Sequence, residues 1–538
     1  MTAAEPGYLS IARSPASADP AGYLPAVPGY SLMTHKTNRT VIQMFKNKTL
    51  LAGIAMTLSV ALWGLIDTAG LGAFAKRYAE LAFLTRGWFI MALMTSIVIT
   101  VIYLMLSPYG KLRLGDDDDR PEFSTLTWLT MMFAAGMGVG LLYWSAAEPL
   151  SHFAFFQNYL PEGAAARQSL FITNFHWGIH AWAMFGLTGL VIAYFSFRRG
   201  APQLLSSPLL MTFGDKAWTR SAGAVVNVLA IYAVAIGVAG SIGMGIFQIQ
   251  NGIDVMRGGE PSGVGLTATL FVLLCVGFLL PLMVNLQQGM GRLSNTAFGI
   301  ALVLVLFVLL SGPTYYIMSV LVDAFGAYLG GVLQHGFRTY ALSDVEVKNW
   351  FSDWTLTYMV WWISWAPFVG VFIARISRGR TIREYLLAVT LLPALFSIFW
   401  YGVFGGIAFY ETLEGKRNLL EVTTTNIDSV TFVLLDKLPL SGLTQLAVVV
   451  SGFLFIITSV VSAALVLAMF TENGKPEPSV RNKLVWGGIV AALGLTMILT
   501  GDIEVVRQII VMAALPFVVI LPLLFVSLLK ALKSENIS

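Results

Sequence analysis

Twelve apolar runs, each about as long as a membrane crossing, divide this 538-residue chain. A helix needs about 20 predominantly apolar residues to span the hydrocarbon core. The runs lie at 49–67, 87–106, 127–149, 168–197, 224–252, 264–286, 296–320, 354–374, 386–411, 444–470, 483–501 and 506–529. In lipid every backbone polar group must be satisfied within the segment, and runs this long satisfy it as helices. The expected fold is therefore an all-α polytopic membrane protein with twelve transmembrane helices. Charged residues are 12% of the chain and hydrophobic ones 57%. Soluble chains carry about 25% charged residues, so a cytosolic or secreted enzyme is excluded. The segment 316–336 is amphipathic and is expected at the interface between the seventh and eighth spans. Residues 425–440 read as a short external helix.

Twelve spans place both termini on one side. With the N-terminus inside, 22 of the 33 Lys and Arg residues fall in cytoplasmic segments, counting Lys483 at the very start of the eleventh run, the bias that orients membrane proteins. Both termini are thus expected in the cytoplasm. Arg198, Arg199, Arg375, Arg378, Arg380 and Arg383 sit just past span ends and read as topological anchors. The run Asp116–Asp119 reads as a solvated loop, with a helix cap or a contact to a basic tail as the alternatives. Residues 1–48 are polar, rich in Pro, Ala, Ser and Gly, and lack the apolar core of a signal peptide. They are expected to form a disordered cytoplasmic tail, with 531–538 as a second, short one. The net charge of +4 is too balanced for a nucleic-acid partner; membrane lipid is the expected surrounding. A single cysteine, Cys275, excludes an internal disulfide and a paired-Cys metal site.

The chain has no metalloprotease, nucleophile-elbow or phosphate-loop motif, so it reads as no enzyme and as needing no cofactor. His176 and His180 are one helical turn apart, but no third metal ligand is apparent nearby in sequence. Three features remain. The third run contains Ala134-Ala135-Gly136-Met137-Gly138-Val139-Gly140. Glycines at alternate positions weaken a helix; they suit either close packing or an unwound stretch whose carbonyls line a cavity. The eighth run contains Trp361, Trp362 and Trp365 well inside its ends, where interfacial anchoring does not explain them. On a continuous helix wheel, Trp177, Trp182 and Phe185 of the fourth run share one arc. Two interior aromatic faces with no interior acidic residue suggest a cage for an organic cation, since Trp faces attract quaternary ammonium groups. In the tenth run Thr458 and Ser459 either bond back to the preceding turn or help to hold a small hard cation.

The Gly136–Gly140 stretch followed by Ala147-Glu148-Pro149, the Trp354-Thr355…Trp361-Trp362…Trp365 block and Ala374-Arg375-Ile376-Ser377-Arg378-Gly379-Arg380 resemble the betaine/choline/carnitine transporter (BCCT) family. The likeness runs from about residue 49 to 530. It implies a LeuT-like inverted-repeat core, with 127–320 (spans three to seven) and 354–530 (spans eight to twelve) as the repeats. Residues 49–126 would hold two additional helices and 321–353 an amphipathic interfacial helix and loop. It further implies a secondary transporter for a betaine-like zwitterion in a bacterial plasma (inner) membrane, with a homotrimer that uses 316–336 as its interface.

The resemblance assigns the substrate to Trp177, Trp182, Phe185, Trp361, Trp362 and Trp365, with Gly136, Met137, Gly138 and Gly140 beside it. It assigns a sodium ion to the carbonyls of Ala134, Met137 and Phe455 and the hydroxyls of Thr458 and Ser459. Val234 and Val238 stand where a second sodium site of the family uses threonines, and Gly291 where sodium-independent exchangers carry an arginine. Gly140 stands where choline-selective members carry Asp. Glu148 is expected to serve a structural role at a span end, with an inward position brought about by a bend as the alternative. A cage-type sensor without transport, and a proton-coupled choline or carnitine carrier, are the alternatives.

Overall fold

The computed structural model describes residues 48–136, 138–284, 287–414 and 419–535. Among these, regular structure is helical, apart from one isolated antiparallel bridge between Arg113 and Thr381. Eleven helices are long and apolar enough to cross a membrane, or twelve if the bent pair α15 (Ile503–Val518) and α16 (Leu521–Leu532) forms one span. The set differs from the sequence reading in two ways. It includes α10 (Thr314–Gly336), read as interfacial. It omits the third run, which is divided into α3 (Thr125–Gly136), 12 residues long and too short to cross, and α4 (Val139–Phe156), whose 18 residues include Glu148, Pro149 and His152 and are too polar.

Helix ends depart from the apolar runs where other forces act. The second run was placed at 87–106, but α2 spans Thr68–Leu106. Its first half holds Lys76, Arg77, Glu80 and Arg86. At 1.5 Å per residue, 39 residues reach about 58 Å, well beyond the bilayer core, so the charged half lies outside it. The seventh run was placed at 296–320. The structure ends α9 (Gln287–Ser311) early, because Gly312-Pro313 turns the chain into α10. The external helix expected at 425–440 is three short pieces: Leu419–Thr425, Ile427–Ser429 and Val430–Leu435. The tail 1–47 and residues 536–538 lie outside the described residues.

The fourth run starts earlier than expected and is also divided. Helices α5 (Glu162–Trp177) and α6 (Ile179–Ala193) meet at Gly178, whose φ of −92° and ψ of −141° are not helical. A helix end leaves backbone groups without partners, and the neighbours here supply them. Tyr328 of α10 accepts the Ile179 N–H at 2.7 Å. The indole of Trp362 donates to the His176 carbonyl at 2.8 Å. Helix α10 is thus tied to the middle of the fourth span.

The centre of the bundle is α7 (Ala217–Met256), against which α13 (Ser441–Thr471), α14 (Val480–Leu499) and α15 all pack. Its glycines leave the room: Gly243 faces Met497, Gly240 faces Ile510 and Gly245 faces Ile456. A second seam joins α11 (Thr357–Ile376) to α6, with Gly370 and Gly189 in backbone contact. Helix α12 (Ile382–Leu413) covers α6 and α4. Helices α4, α6 and α11 therefore converge with their aromatic residues inward.

At the ends bearing the arginines, the reading of Asp116–Asp119 as simply solvated is incomplete. Asp117 pairs with Arg198 at 2.8 Å and Asp119 with Arg378 at 3.0 Å. Arg198 also holds Glu535 at 2.9 Å. Arg383 donates to the Met105 carbonyl, and Arg380 lies over the Trp128 ring. These arginines knit helix ends together.

Candidate functional site

The break in the third run sits where the glycines predicted weakness, and it is short. Helix α3 runs through Ala134 to Gly136, Met137 lies outside the described residues, and Gly138 is extended before α4 resumes. The other glycines admit rings. A Cβ on Gly138 would sit 3.0 Å from Trp365, and one on Gly140 would sit 2.9 Å from Trp177. Carbon atoms prefer about 3.5–4.0 Å, so only glycine lets the α4 backbone approach both indoles this closely.

The rings do not form one symmetrical cage. Trp177 meets Trp362 edge-to-face at 5.0 Å, and Phe185 meets Trp362 at 6.0 Å. Trp361 stacks on Trp362 at 6.4 Å. Among the described residues, the ring contact that joins Trp182 to the cluster is with Phe185, at 5.6 Å. Trp365 borders it from the side, packing on Phe368 and donating to the Gly237 carbonyl at 3.3 Å. The wheel argument assumed an unbroken fourth helix, and the turn at Gly178 rotates Trp182 away from the arc it was given. Two rings that the sequence reading overlooked complete the cluster. Tyr358 lies 5.7 Å from Trp177 and 5.9 Å from Trp361, and Tyr401 lies 5.5 Å from Trp177. Tyr358 precedes Trp362 by one turn, and that spacing was the available signal. The Trp361 N–H and the Tyr401 O–H are buried without hydrogen-bond partners among the described residues. A cavity of about 320 Å³ lined by Arg167, Tyr316, Asp323 and Phe409 lies apart from these rings.

The expectation of no interior acidic residue is overturned by Glu148. It lies in the middle of α4, wholly buried, not at a span end. Its Oε2 accepts from the Trp177 indole at 2.8 Å and from the Tyr358 hydroxyl at 2.6 Å. Its Oε1 lies 2.7 Å from His176 Nδ1 and 3.3 Å from His152 Nε2. Pro149 follows it inside the helix.

A third potential metal ligand does approach His176, contrary to the sequence reading, but His180 takes no part. Glu148, His152 and His176 offer ligand atoms all within 4.8 Å of one another. The break at Gly178 turns His180 toward Thr95 instead, at 3.4 Å. Hydrogen bonding argues against a metal at the three. Indole N–H can only donate, and Trp350 donates to His152 Nδ1 at 3.2 Å. Neutral His152 therefore carries its proton on Nε2, where the metal would have to bind, and directs it at Glu148. On the other ring, His176 Nε2 pairs with the Thr355 hydroxyl at 3.0 Å. The Thr355 O–H can donate there, leaving His176 Nδ1–H to donate to Glu148. The result is a carboxylate ringed by four donors.

Of the groups assigned to sodium, Thr458 bonds back to the Phe455 carbonyl at 3.1 Å. Ser459 is 8% exposed. Their helix, α13, approaches the break: a Cβ on Gly452 would lie 3.8 Å from Val139. Val234 and Val238 are fully buried in α7.

Residues 48–537 match the family model for BCCT, betaine/carnitine/choline family transporters. The chain belongs to this family. It is a multi-pass membrane transporter and not an enzyme. It is 38% identical over 490 residues to the glycine betaine transporter OpuD of Bacillus subtilis, covering 90% of this chain and 94% of that one. It is 35% identical to glycine betaine transporter 1 of Vibrio parahaemolyticus, over 82% of this chain and 84% of the other. It is 32% identical to an ectoine/hydroxyectoine transporter of Virgibacillus pantothenticus, over 86% and 91%.

Proposed function

We propose that this transporter accumulates a betaine-like zwitterion, a quaternary ammonium or sulfonium compound, by alternating access coupled to sodium. The observation that carries the reading is the convergence of Trp177, Tyr358, Trp361, Trp362 and Phe185 beside the glycine backbone of α4. A buried cluster of indole and phenol rings suits a soft, weakly hydrated cation, for which Trp faces are worth about 2 kcal/mol or more once water is excluded. The zwitterion brings its own carboxylate. The unpartnered Trp361 N–H and Tyr401 O–H beside the rings are donors suited to it. The similarity to two glycine betaine transporters supports the same substrate class.

Choline is the poorer fit. It lacks a negative group, and a lone charge in a membrane interior is costly without a partner. Glu148 has its acceptor positions filled by four donors and offers no direct contact. For coupling, Phe455, Thr458 and Ser459 would hold sodium with the carbonyls of Ala134 and Met137, bridging α13 to the broken third span. Breaks in the third and fourth spans and the π-helical turn Ser352–Leu356 before α11 suit an inverted-repeat, LeuT-like mechanism. Both termini would be cytoplasmic. A homotrimer would use the outer face of α10, where Val322, Leu329 and Tyr315 are exposed.

The test is accumulation of radiolabelled glycine betaine in proteoliposomes. An inward sodium gradient should concentrate it, and the double variant Thr458→Ala/Ser459→Ala should abolish the sodium requirement. Equal uptake in sodium and potassium would refute the coupling. Binding without accumulation would leave a sensor in place of a transporter.

A further inference from the structure

This inference rests on the reading of the rings as an organic-cation site. We propose that Glu148 is the counter-charge of that site, acting on the cation through Trp177 and Tyr358 and not by contact. Both hydrogen bonds to its Oε2 come from ring systems of the cluster, the Trp177 indole N–H at 2.8 Å and the Tyr358 O–H at 2.6 Å. A donor hydrogen held by an anion leaves its ring richer in electron density. The negative face that a cation meets is thereby deepened. The carboxylate itself stands behind the rings, with Oε1 occupied by His152 and His176.

The arrangement suits a quaternary head group. Such a group has no N–H to donate, so a directly exposed carboxylate would gain it nothing in hydrogen bonding. An exposed carboxylate would also attract water, sodium and primary amines. Screened by two rings, the charge acts at a distance that favours a bulky, weakly hydrated cation over those competitors. Arg507 lies 4.5 Å from the Trp354 ring centre and 5.7 Å from that of Tyr358, but its charge is met by its own carboxylate, Glu504, at 2.5 Å, with the Asp353 carbonyl as a further acceptor. With both histidines in the neutral tautomers that these hydrogen bonds accommodate, four donors satisfy Glu148 and none neutralises it.

Glycine betaine and its carbon isostere 3,3-dimethylbutanoate separate charge from shape: both carry the same carboxylate and three methyl groups, but only betaine is cationic. Their dissociation constants are measured on the purified full-length protein by calorimetry or competition. In Glu148→Gln, affinity for betaine should fall about tenfold, equivalent to about 1.4 kcal/mol. Affinity for dimethylbutanoate should stay the same, so the selectivity ratio collapses; Glu148→Asp should restore it. Equal weakening of both ligands would overturn the proposal by showing a merely structural role, as would a ratio that survives in Glu148→Gln. Should that variant fail to fold, Tyr358→Phe keeps the ring and removes the hydroxyl link. It should cost betaine alone about threefold, the scale of one modest cation–π contribution, and an unchanged ratio there also overturns the proposal. If the wild type fails to distinguish the two ligands, the organic-cation site itself is wrong. If the wild type distinguishes them and Glu148→Gln does so equally well, only the role of Glu148 falls.

Discussion

The contact between Gly140 and Trp177 gives the sharpest test of the substrate site. In Gly140→Ala the new methyl would stand 2.9 Å from Trp177 Cη2 and 3.6 Å from Met244 Cε. Carbon contacts are favourable at about 3.5–4.0 Å, so the indole must withdraw by about 0.6–1 Å. Its retreat is opposed. The N–H is held at 2.8 Å by Glu148, and the ring lies against Trp362 and Tyr401. A shift of that size carries the hydrogen bond beyond the usual limit of about 3.2 Å. A hydrogen bond to a charged group contributes about 1.5–3 kcal/mol. Losing the lower figure, with Trp177 displaced, predicts about a tenfold loss of betaine affinity.

Helix weakening cannot be the cause, because Ala in a helix interior is better than Gly by about 1 kcal/mol. Gly140→Asp adds the same Cβ together with a carboxylate, so comparison with Gly140→Ala separates crowding from charge. Both should weaken betaine, and only Asp should improve binding of choline. Calorimetric titration of the three proteins with betaine and choline measures this. Wild-type betaine affinity in Gly140→Ala would refute the argument that Trp177 is held in place as part of the site.

Trp362→Leu removes the ring that Trp177, Phe185 and Trp361 all face, and with it the donor to the His176 carbonyl at the fourth-span break. Betaine uptake should fall at least about tenfold, whereas Trp182→Leu, at a ring joined to the cluster through Phe185, should have a smaller effect; equal losses in an uptake assay would count against this geometry. Glu535 supplies a pH dependence. Burial works against its charged form, but hydrogen bonds from Arg198 and Tyr194 outweigh that and hold its carboxyl below the ordinary value. A depressed folded-state pKa means that the stabilisation is complete above the unfolded value of 4.5 and disappears as pH falls through the folded one. Thermal unfolding should show Glu535→Gln less stable than wild type at neutral pH, with the difference vanishing in acid; a gap that persists at low pH would contradict this.

In lipid every backbone polar group must be satisfied internally, so the chain's polytopic helical character could be read directly from hydropathy. The glycine run announced a break because three glycines at alternate positions cannot strengthen a helix. The tryptophans inside the eighth span announced a site because interfacial anchoring could not account for them. Other features were invisible to periodicity. A wheel drawn through Gly178 put Trp182 with Trp177 and His180 with His176, and the broken backbone parts both pairs. The end of α9 at Ser311 and the outward extension of α2 likewise depended on local geometry and charge, which hydropathy averages away.

Glu148 marks the boundary between the two kinds of information. In sequence it is one acidic residue before a proline, and an acidic residue in a span is expensive whatever its role. Its consequence depends on which donors reach it. Those come from α4 itself, from the last turn of α5 and from α11, residues separated from it by 4 to 210 positions. The sequence by itself determined that this chain is a bundle of membrane helices carrying aromatic residues and glycines in its interior. Only the tertiary structure decided which rings meet, that His176 faces a carboxylate, and that a buried negative charge stands behind Trp177 and Tyr358. Hydropathy is a property of each residue in its own segment, whereas a hydrogen-bonded buried charge is a property of several helices brought within 3 Å of one another.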